Sequence, residues 1–355
     1  MTDQTMSRRS MIATVGTSAA LLGSSAAGLG WASAAEAQKS GAGALTGSRI
    51  DAAVNAAFTQ YRGLTEGKNA DYIPALAKVP STYFGVDVVG ADGKLHDAGD
   101  SQQLFSIQSI SKVFTAALVM QESGDSTLEN SVGVDATGQV FNSIVAVEQY
   151  RGKEMNPFVN PGAIATVGNV KGSSPDEVWG KILKIHSDFA GRPLEVNQEV
   201  YKSESDTNQR NRAISALMSA YERFPMDPAV AVDLYTRQCS INVSSRDLAT
   251  MAATLAFGGR NPVTKQQVID KRHVPGLLAI MATAGLYDDS GKWLFHSGLP
   301  AKSGVGGGLV AVSPGKFGIG TFAPPLDAAG NSVRGQKAII DIVNALDANP
   351  YAQFG

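Results

Sequence analysis

A chain of 355 residues with 43% hydrophobic and 17% charged side chains has material for one large domain or two joined ones, with the apolar content of an ordinary globular protein. Its formal net charge of −2 and pI near 6.1 provide no basic field, so nucleic acid is not an expected partner. A single cysteine, Cys239, excludes an internal disulfide, and the four histidines (His96, His186, His273, His296) show no H-x-x-H or C-x-x-C spacing, so no metal centre is expected.

Ser7-Arg8-Arg9-Ser10-Met11-Ile12 sets a twin arginine before an apolar, small-residue run from Met11 to about Trp31. The run is followed by Ala35-Glu36-Ala37, an A-x-A-like cleavage site. The expectation is a twin-arginine export signal over residues 1–37, a flexible Gly/Ala/Ser-rich connector over 38–47 and a folded domain over 48–355, working in the periplasm or outside the cell. The apolar run is thin in leucine and broken by Gly16, Gly23, Gly28 and Gly30, so no stable membrane anchor is expected.

A helix is expected from Arg49 to about Tyr61, with Ile50, Val54, Ala57 and Phe58 on one face. Tyr83 to Val89, a Gly90-Ala91-Asp92-Gly93 turn and Lys94 to Ala98 read as a β-hairpin; Gly308 to Val312, a Ser313-Pro314-Gly315 turn and Phe317 to Phe322 read as a second. A last helix runs from about Val333 to Leu346. Between the hairpins the pattern is helical, as over Pro175 to Ala190, Asn211 to Phe224, Pro228 to Gln238 and Ser245 to Phe257. The fold class is therefore α/β in the α+β sense. One antiparallel sheet, from about residues 80–100 and 305–325, is closed by both termini and flanked by helices, and a helical subdomain is inserted over about 115–300.

Within this frame Phe105-Ser106-Ile107-Gln108-Ser109-Ile110-Ser111-Lys112-Val113-Phe114 opens an amphipathic helix with Ile110, Val113, Phe114, Ala117 and Leu118 on one stripe. Ser109 and Lys112, three apart, share a face, whereas Ser111 lies about 100° away from Lys112. A neutral lysine there can take the proton of a serine hydroxyl, which is a weak nucleophile without a base. The alternative is an exposed lysine beside a helix-capping serine. A free lysine titrates at about 10.4, so half-neutrality at pH 7 requires ~4.6 kcal/mol of differential destabilisation of the charged form.

Pro300-Ala301-Lys302-Ser303-Gly304-Val305-Gly306-Gly307-Gly308 reads either as a flexible loop before a strand or as a backbone that approaches a ligand closely. With S-x-x-K far upstream, a Lys-Ser-Gly on an edge strand matches the second element of serine-dependent penicillin-recognising enzymes. Cys239, inside Tyr235-Thr236-Arg237-Gln238-Cys239-Ser240, reads as a small buried hydrophobe before it reads as a nucleophile.

From about Ala70 to Lys337 the chain resembles bacterial glutaminases of the serine-dependent, β-lactamase-like family. Eight stretches carry the resemblance: Tyr72-Ile73-Pro74, Gln108 to Lys112, Asn156 to Ile164, Ser203-Glu204 through Asn211 to Ile214, Asp233 to Ser240, Gly285-Leu286-Tyr287, Lys302 to Gly308, and Asn331 to Lys337. One departure is Pro161 after Asn160, where the family has a small non-proline residue; it stiffens that loop.

The resemblance implies a β-lactamase/penicillin-binding-protein-like fold and hydrolysis of L-glutamine to L-glutamate and ammonia through a glutamyl ester on Ser109, with no cofactor or metal. It implies Lys112 and Tyr287 as proton carriers, and the backbone N–H groups of Ser109 and Val305 as the oxyanion hole. It places Tyr72, Gln108, Asn160, Glu204, Asn211 and Tyr235 around the substrate, with Glu204 facing its ammonium. It further implies a homo-oligomer, dimer or tetramer. Two other readings are a β-lactamase or D-Ala-D-Ala peptidase, favoured by export but opposed by Glu204 and Tyr235, and a non-catalytic ligand sensor on the same scaffold.

Overall fold

The computed structural model describes residues 45–153 and 155–352. The expected export signal, and the connector up to residue 44, lie outside the described residues. Thr46 caps the first helix, its hydroxyl accepting the Arg49 N–H at 3.4 Å, so the helix runs Gly47–Tyr61 and begins two residues ahead of expectation.

The first hairpin is made of β1 (Gly85–Gly90) and β2 (Leu95–Gly99). Its turn closes through Gly93, at φ 81°, and through the Asp92 carboxylate, which accepts the Lys94 N–H at 3.0 Å. Two short strands, β3 (Phe105–Ser106) and β4 (Asn242–Val243), pair with each other. After the helical region come β5 (Ala301–Ser303), β6 (Gly308–Ser313) and β7 (Phe317–Phe322). The main sheet is antiparallel throughout in the order β2-β1-β7-β6-β5, with Ile319 paired to Val88 on one side and Ala311 on the other. The first and last hairpins thus meet edge to edge, as their positions in the sequence predict.

Alternation along the strands separates two cores. Val86, Val88, Leu309, Ala311 and Ile319 face the first helix and the last one, Val333–Ala345, which bring Ile50, Val54, Ile339 and Val343. Val310, Val312 and Phe322 face the larger core built by the intervening helices. On that side helix Ser245–Ala256 rests on β7 itself. A Cβ on Gly318 would sit 2.0 Å from the Ala253 nitrogen, and one on Gly320 2.2 Å from the Ser245 carbonyl, so only glycine permits the contact.

Helix boundaries follow their local chemistry. Pro175–Ala190 is capped by Ser174 and stopped by Gly191 at φ 74°, matching expectation at both ends. The expected Asn211 to Phe224 helix is instead Gln209–Ala220; the chain leaves it early, and Glu222 takes φ 56° in the turn that follows.

The S-x-x-K segment differs from expectation in one respect. A 3-10 turn, Gln108–Ile110, leads into helix Ser111–Ser123, and every residue from Ser111 to Met120 is buried. The helix has no solvent face over that length. It is a central post rather than an amphipathic surface helix, and this burial is what strips Lys112 of water. Among the described residues, no helix is long and apolar enough to cross a membrane.

Candidate active site

Ser109 lies on the 3-10 turn and Lys112 on the first turn of the helix that follows, which brings Lys112 Nζ within 2.9 Å of Ser109 Oγ. Lys112 is 1% exposed. Its second hydrogen bond goes to Asn160 Oδ1 at 2.8 Å, a neutral acceptor. Burial holds the Lys112 ammonium down at about 8, against the opposing pull of Cys239 and Glu204. Ser111 points elsewhere: its hydroxyl donates to the Gln108 carbonyl at 2.7 Å, securing a turn in which Gln108 takes the left-handed φ of 51°.

Asn160 connects this pair to other expected site residues. Its Oδ1 also accepts from the Tyr235 hydroxyl at 3.1 Å, and its Nδ2 donates to Asn211 Oδ1 at 3.0 Å. The departure at Pro161 is compatible with this pose. Pro161 sits in the first turn of helix Asn160–Gly168, where its missing N–H has no intrahelical partner to lose. Tyr235 is buried on helix Pro228–Cys239, and Lys112 Nζ lies 5.7 Å from its ring centroid.

Glu204 falls within helix Gln198–Thr207, and only 7% of it is exposed. It accepts one N–H, from Gln108 Nε2 at 3.3 Å. Burial pushes its carboxyl up to about 7, with Gln108 and Lys112 pulling the other way. Tyr72 is 55% exposed and lies just before the short helix Pro74–Ala77. That helix is tied to the Glu204 helix by the Ala75 N–H, which donates to Ser203 Oγ at 3.2 Å.

From the opposite side the loop between β5 and β6 closes over the Gln108–Ile110 turn. A Cβ on Gly304 would lie 2.7 Å from the Ile107 carbonyl, and one on Gly306 2.6 Å from that of Ser106. These two glycines let the backbone of Val305, between them, run against the turn that carries Ser109. Tyr287 reaches the same place from a 3-10 turn, Tyr287–Asp289. It is buried, takes φ 56° and directs its hydroxyl to the Ser303 carbonyl at 3.4 Å. Burial pushes its phenol up to about 12, while hydrogen bonding to Ser109 and Ser303 works against that rise.

Ser109, Lys112, Asn160, Asn211, Tyr235, Tyr287, Glu204 and Gln108 are thus linked by contacts, with the Val305 loop against the Ser109 turn and Tyr72 near enough to Tyr287 and Glu204 to feel their charge. Three neighbours were not among the expected site residues. Lys302 is fully buried with its Nζ 4.2 Å from the Tyr287 ring centroid. Phe141 packs on Tyr287 at 4.8 Å between centroids. Cys239 is buried alongside, its thiol pushed up to about 12, chiefly by burial and then by Glu204, which leaves it a poor nucleophile. The Lys-Ser-Gly motif marked Lys302, but nothing in its spacing says that the side chain turns inward.

The arrangement offers a serine with a buried amine beside it, a phenol at the same oxygen, and a carboxylate set apart from both. That is the equipment for acyl transfer on a substrate that also carries a cationic group. Among the described residues no cluster of His, Cys, Asp and Glu could hold a metal ion.

The glutaminase family model matches residues 67–351. A glutaminase of Colwellia psychrerythraea is 50% identical over 300 residues, 84% of this chain and 96% of that protein. Among solved structures, one titled probable glutaminase ybaS superposes with a TM-score of 0.86 at 44% identity, covering 87% of this chain and all of that one. A structure titled Mglu in its glutamate form superposes with a TM-score of 0.80 at 33% identity, over 84% of this chain and 68% of that one.

Proposed function

The chain belongs to the glutaminase family, and from that premise we propose that it hydrolyses L-glutamine to L-glutamate and ammonia through a glutamyl ester on Ser109. The observation that carries the reading is the buried Lys112 amine 2.9 Å from Ser109 Oγ, bonded otherwise to a neutral amide oxygen. With the Lys112 ammonium at about 8, a minority of the molecules hold it neutral at pH 7, a handicap on the order of 1 kcal/mol on the barrier. That is far less than a surface lysine would impose.

In this reading Ser109 Oγ attacks the side-chain carbonyl carbon and gives its proton to Lys112. The oxyanion faces the backbone N–H groups of Ser109 and Val305, where one donor of this kind is worth ~3 kcal/mol. The carbon–nitrogen bond breaks as a proton from Lys112 or Tyr287 leaves with the nitrogen, releasing ammonia. Water then cleaves the ester, with the same groups acting in the reverse sense, and restores Ser109. Glu204 takes the α-ammonium, and Tyr72, Asn160, Asn211 and Tyr235 hold the α-carboxylate. An amino-acid ligand is supported by the glutamate form in which the Mglu relative was solved.

Measuring ammonia release from glutamine beside nitrocefin hydrolysis tests the assignment. Ammonia without nitrocefin turnover supports it, nitrocefin turnover points to a β-lactamase, and inactivity on both points to a sensor. The reading includes export by the twin-arginine route, since Arg8-Arg9 precedes an apolar run and an A-x-A-like site. Replacing both arginines by lysine is expected to hold the protein in the cytoplasm on fractionation. A dimer or tetramer on gel filtration is the expected assembly.

A further inference from the structure

We propose that Asp87 is a proton-operated joint: holding a proton, it ties the sheet to the two short strands that frame the Ser109 turn, and giving the proton up, it loosens them.

Strand β1 is apolar except at Asp87, which is 0% exposed. Val86 and Val88 face the first and last helices, so Asp87 lies on the other face of the strand, with Val89 and under helix Ser245–Ala256. Its Oδ1 accepts the Ser101 hydroxyl, and its Oδ2 has no hydrogen-bond partner among the described residues. A buried carboxylate oxygen without a donor is costly, whereas a protonated one brings a donor of its own. A hydroxyl to receive that proton is at hand on Ser245, close enough to act on the Asp87 carboxyl but directed to Ser101 O at 3.4 Å. The hydroxyls are therefore arranged as a neutral acid requires. Ser101 Oγ donates to Oδ1, Oδ2 donates to Ser245 Oγ, and Ser245 Oγ donates to Ser101 O. An ionised Asp87 has no proton to give and draws the Ser245 hydroxyl away from Ser101 O.

The charged groups nearby come from three segments. Asp97, the register partner of Asp87 on β2, opposes ionisation. Arg246 on the covering helix favours it, but its guanidinium lies 3.7 Å from Asp97 and its Nε has no partner among the described residues. Asp100, just after β2, is taken up by the Phe84 N–H at 2.8 Å, and Asp247 by Arg192. The partner on β7 is Gly320, which carries no charge. Burial outweighs these influences and pushes the Asp87 carboxyl up to about 7.

Position in the chain makes the cluster a joint. Ser101 leads into β3, which starts at Phe105, and Ser245 follows β4, which ends at Val243. These two strands pair, and the Ile107 N–H donates to Ile241 O at 2.8 Å just before the Gln108–Ile110 turn. The segments meet closely at Asp87, since a Cβ on Gly85 would lie 2.6 Å from Ser245 Oγ and 3.0 Å from the Asp100 carbonyl.

The test follows the full chain and Asp87→Asn, which keeps the shape of the neutral acid, from pH 4.5 to 8. With the folded carboxyl at about 7 and an ordinary one at 3.8, the stability that the neutral form contributes is full below about 4 and is lost as pH rises to about 7. Asp87→Asn is therefore expected to gain about 5 °C in thermal midpoint over wild type between pH 4.5 and 8, levelling off above 7. Amide exchange reads the joint itself. Protection of Ile107, taken relative to Ile339 in the last helix, is expected to fall ~10-fold from pH 6 to 8 in wild type and to stay constant in Asp87→Asn. If Asp87→Asn does not fold, Ser245→Ala is expected to show at pH 6 the reduced Ile107 protection that wild type reaches only at pH 8. A midpoint difference that does not change with pH, or Ile107 protection that falls no further than that of Ile339, would overturn the proposal.

Discussion

Asp247 and Glu204 are both buried carboxylates, 4% and 7% exposed, but their neighbours treat them differently. Asp247 caps helix Ser245–Ala256, accepting the Ser244 N–H at 2.7 Å and the Ser244 hydroxyl at 2.9 Å. It also takes the Arg192 fork through two bonds of 2.7 Å. Glu204 accepts a single amide N–H at 3.3 Å. The cations differ in the same way: Arg192 has its carboxylate, whereas Lys112 has only a serine hydroxyl and an amide oxygen. One region spends its charge on holding a helix in place. The other keeps a carboxylate with unused acceptor capacity and an amine with a proton to exchange, at a cost in folding stability.

The largest expected effect removes the proposed nucleophile. Ser109→Ala is expected to lower kcat at least ~10⁴-fold while the fold and thermal midpoint are kept. Lys112→Arg follows, at ~10³-fold in kcat, because a guanidinium cannot act as a base near neutral pH. Wild-type-like turnover by that variant would remove Lys112 from the chemistry. Glu204→Gln tests the other unpaired charge. It is expected to cut kcat/KM ~100-fold, mainly through KM, by depriving the substrate ammonium of its partner. The contrasting carboxylate is expected to answer in stability instead. Asp247→Ala costs ~2 kcal/mol of unfolding free energy, with kcat of the folded fraction unchanged, since Arg192 is partly exposed and solvent softens the loss. An activity defect there without a stability defect would collapse the comparison.

Titration sharpens it further. In the proposed reaction Lys112 works neutral and Glu204 ionised, so both active forms are gained as pH rises, through about 8 and about 7 respectively. In the free enzyme kcat/KM is therefore expected to climb by up to about tenfold between pH 7 and 8, more steeply below 7, and to level off above. A maximum below pH 6 would contradict both assignments. The smallest expected effect is that of Ser111→Ala, with kcat within about threefold of wild type and ~1 kcal/mol of stability lost with its bond to the Gln108 carbonyl.

Much of this was legible in the sequence wherever local chemistry decides. Ser174, Pro175 and Gly191 fix both ends of one helix, Asp92 and Gly93 fix a hairpin, and the 3, 4, 7 spacing fixes the helix that starts at Ser111. What was not legible depends on burial. Ser203-Glu204-Ser205-Asp206-Thr207 is polar throughout, and only the packing of its helix against the Gln108 turn puts Glu204 inside. Lys112 was expected on a one-sided helix, and the structure surrounds that helix. The strands Phe105–Ser106 and Asn242–Val243 are too short for a period of two to register, although their pairing steadies the turn that carries Ser109. Lys302 was marked by its motif but not by its burial against Tyr287, because a lysine's direction on an edge strand is set by the register of its partner.

Acid-quenched peptide mass mapping during the first turnovers with saturating glutamine tests the central claim most directly. A mass increase of one glutamyl group on the peptide carrying Gln108 to Lys112, localised to Ser109 and absent from Ser109→Ala, is the predicted result. An adduct on Ser111 or Cys239, or undiminished turnover by Ser109→Ala, would contradict it.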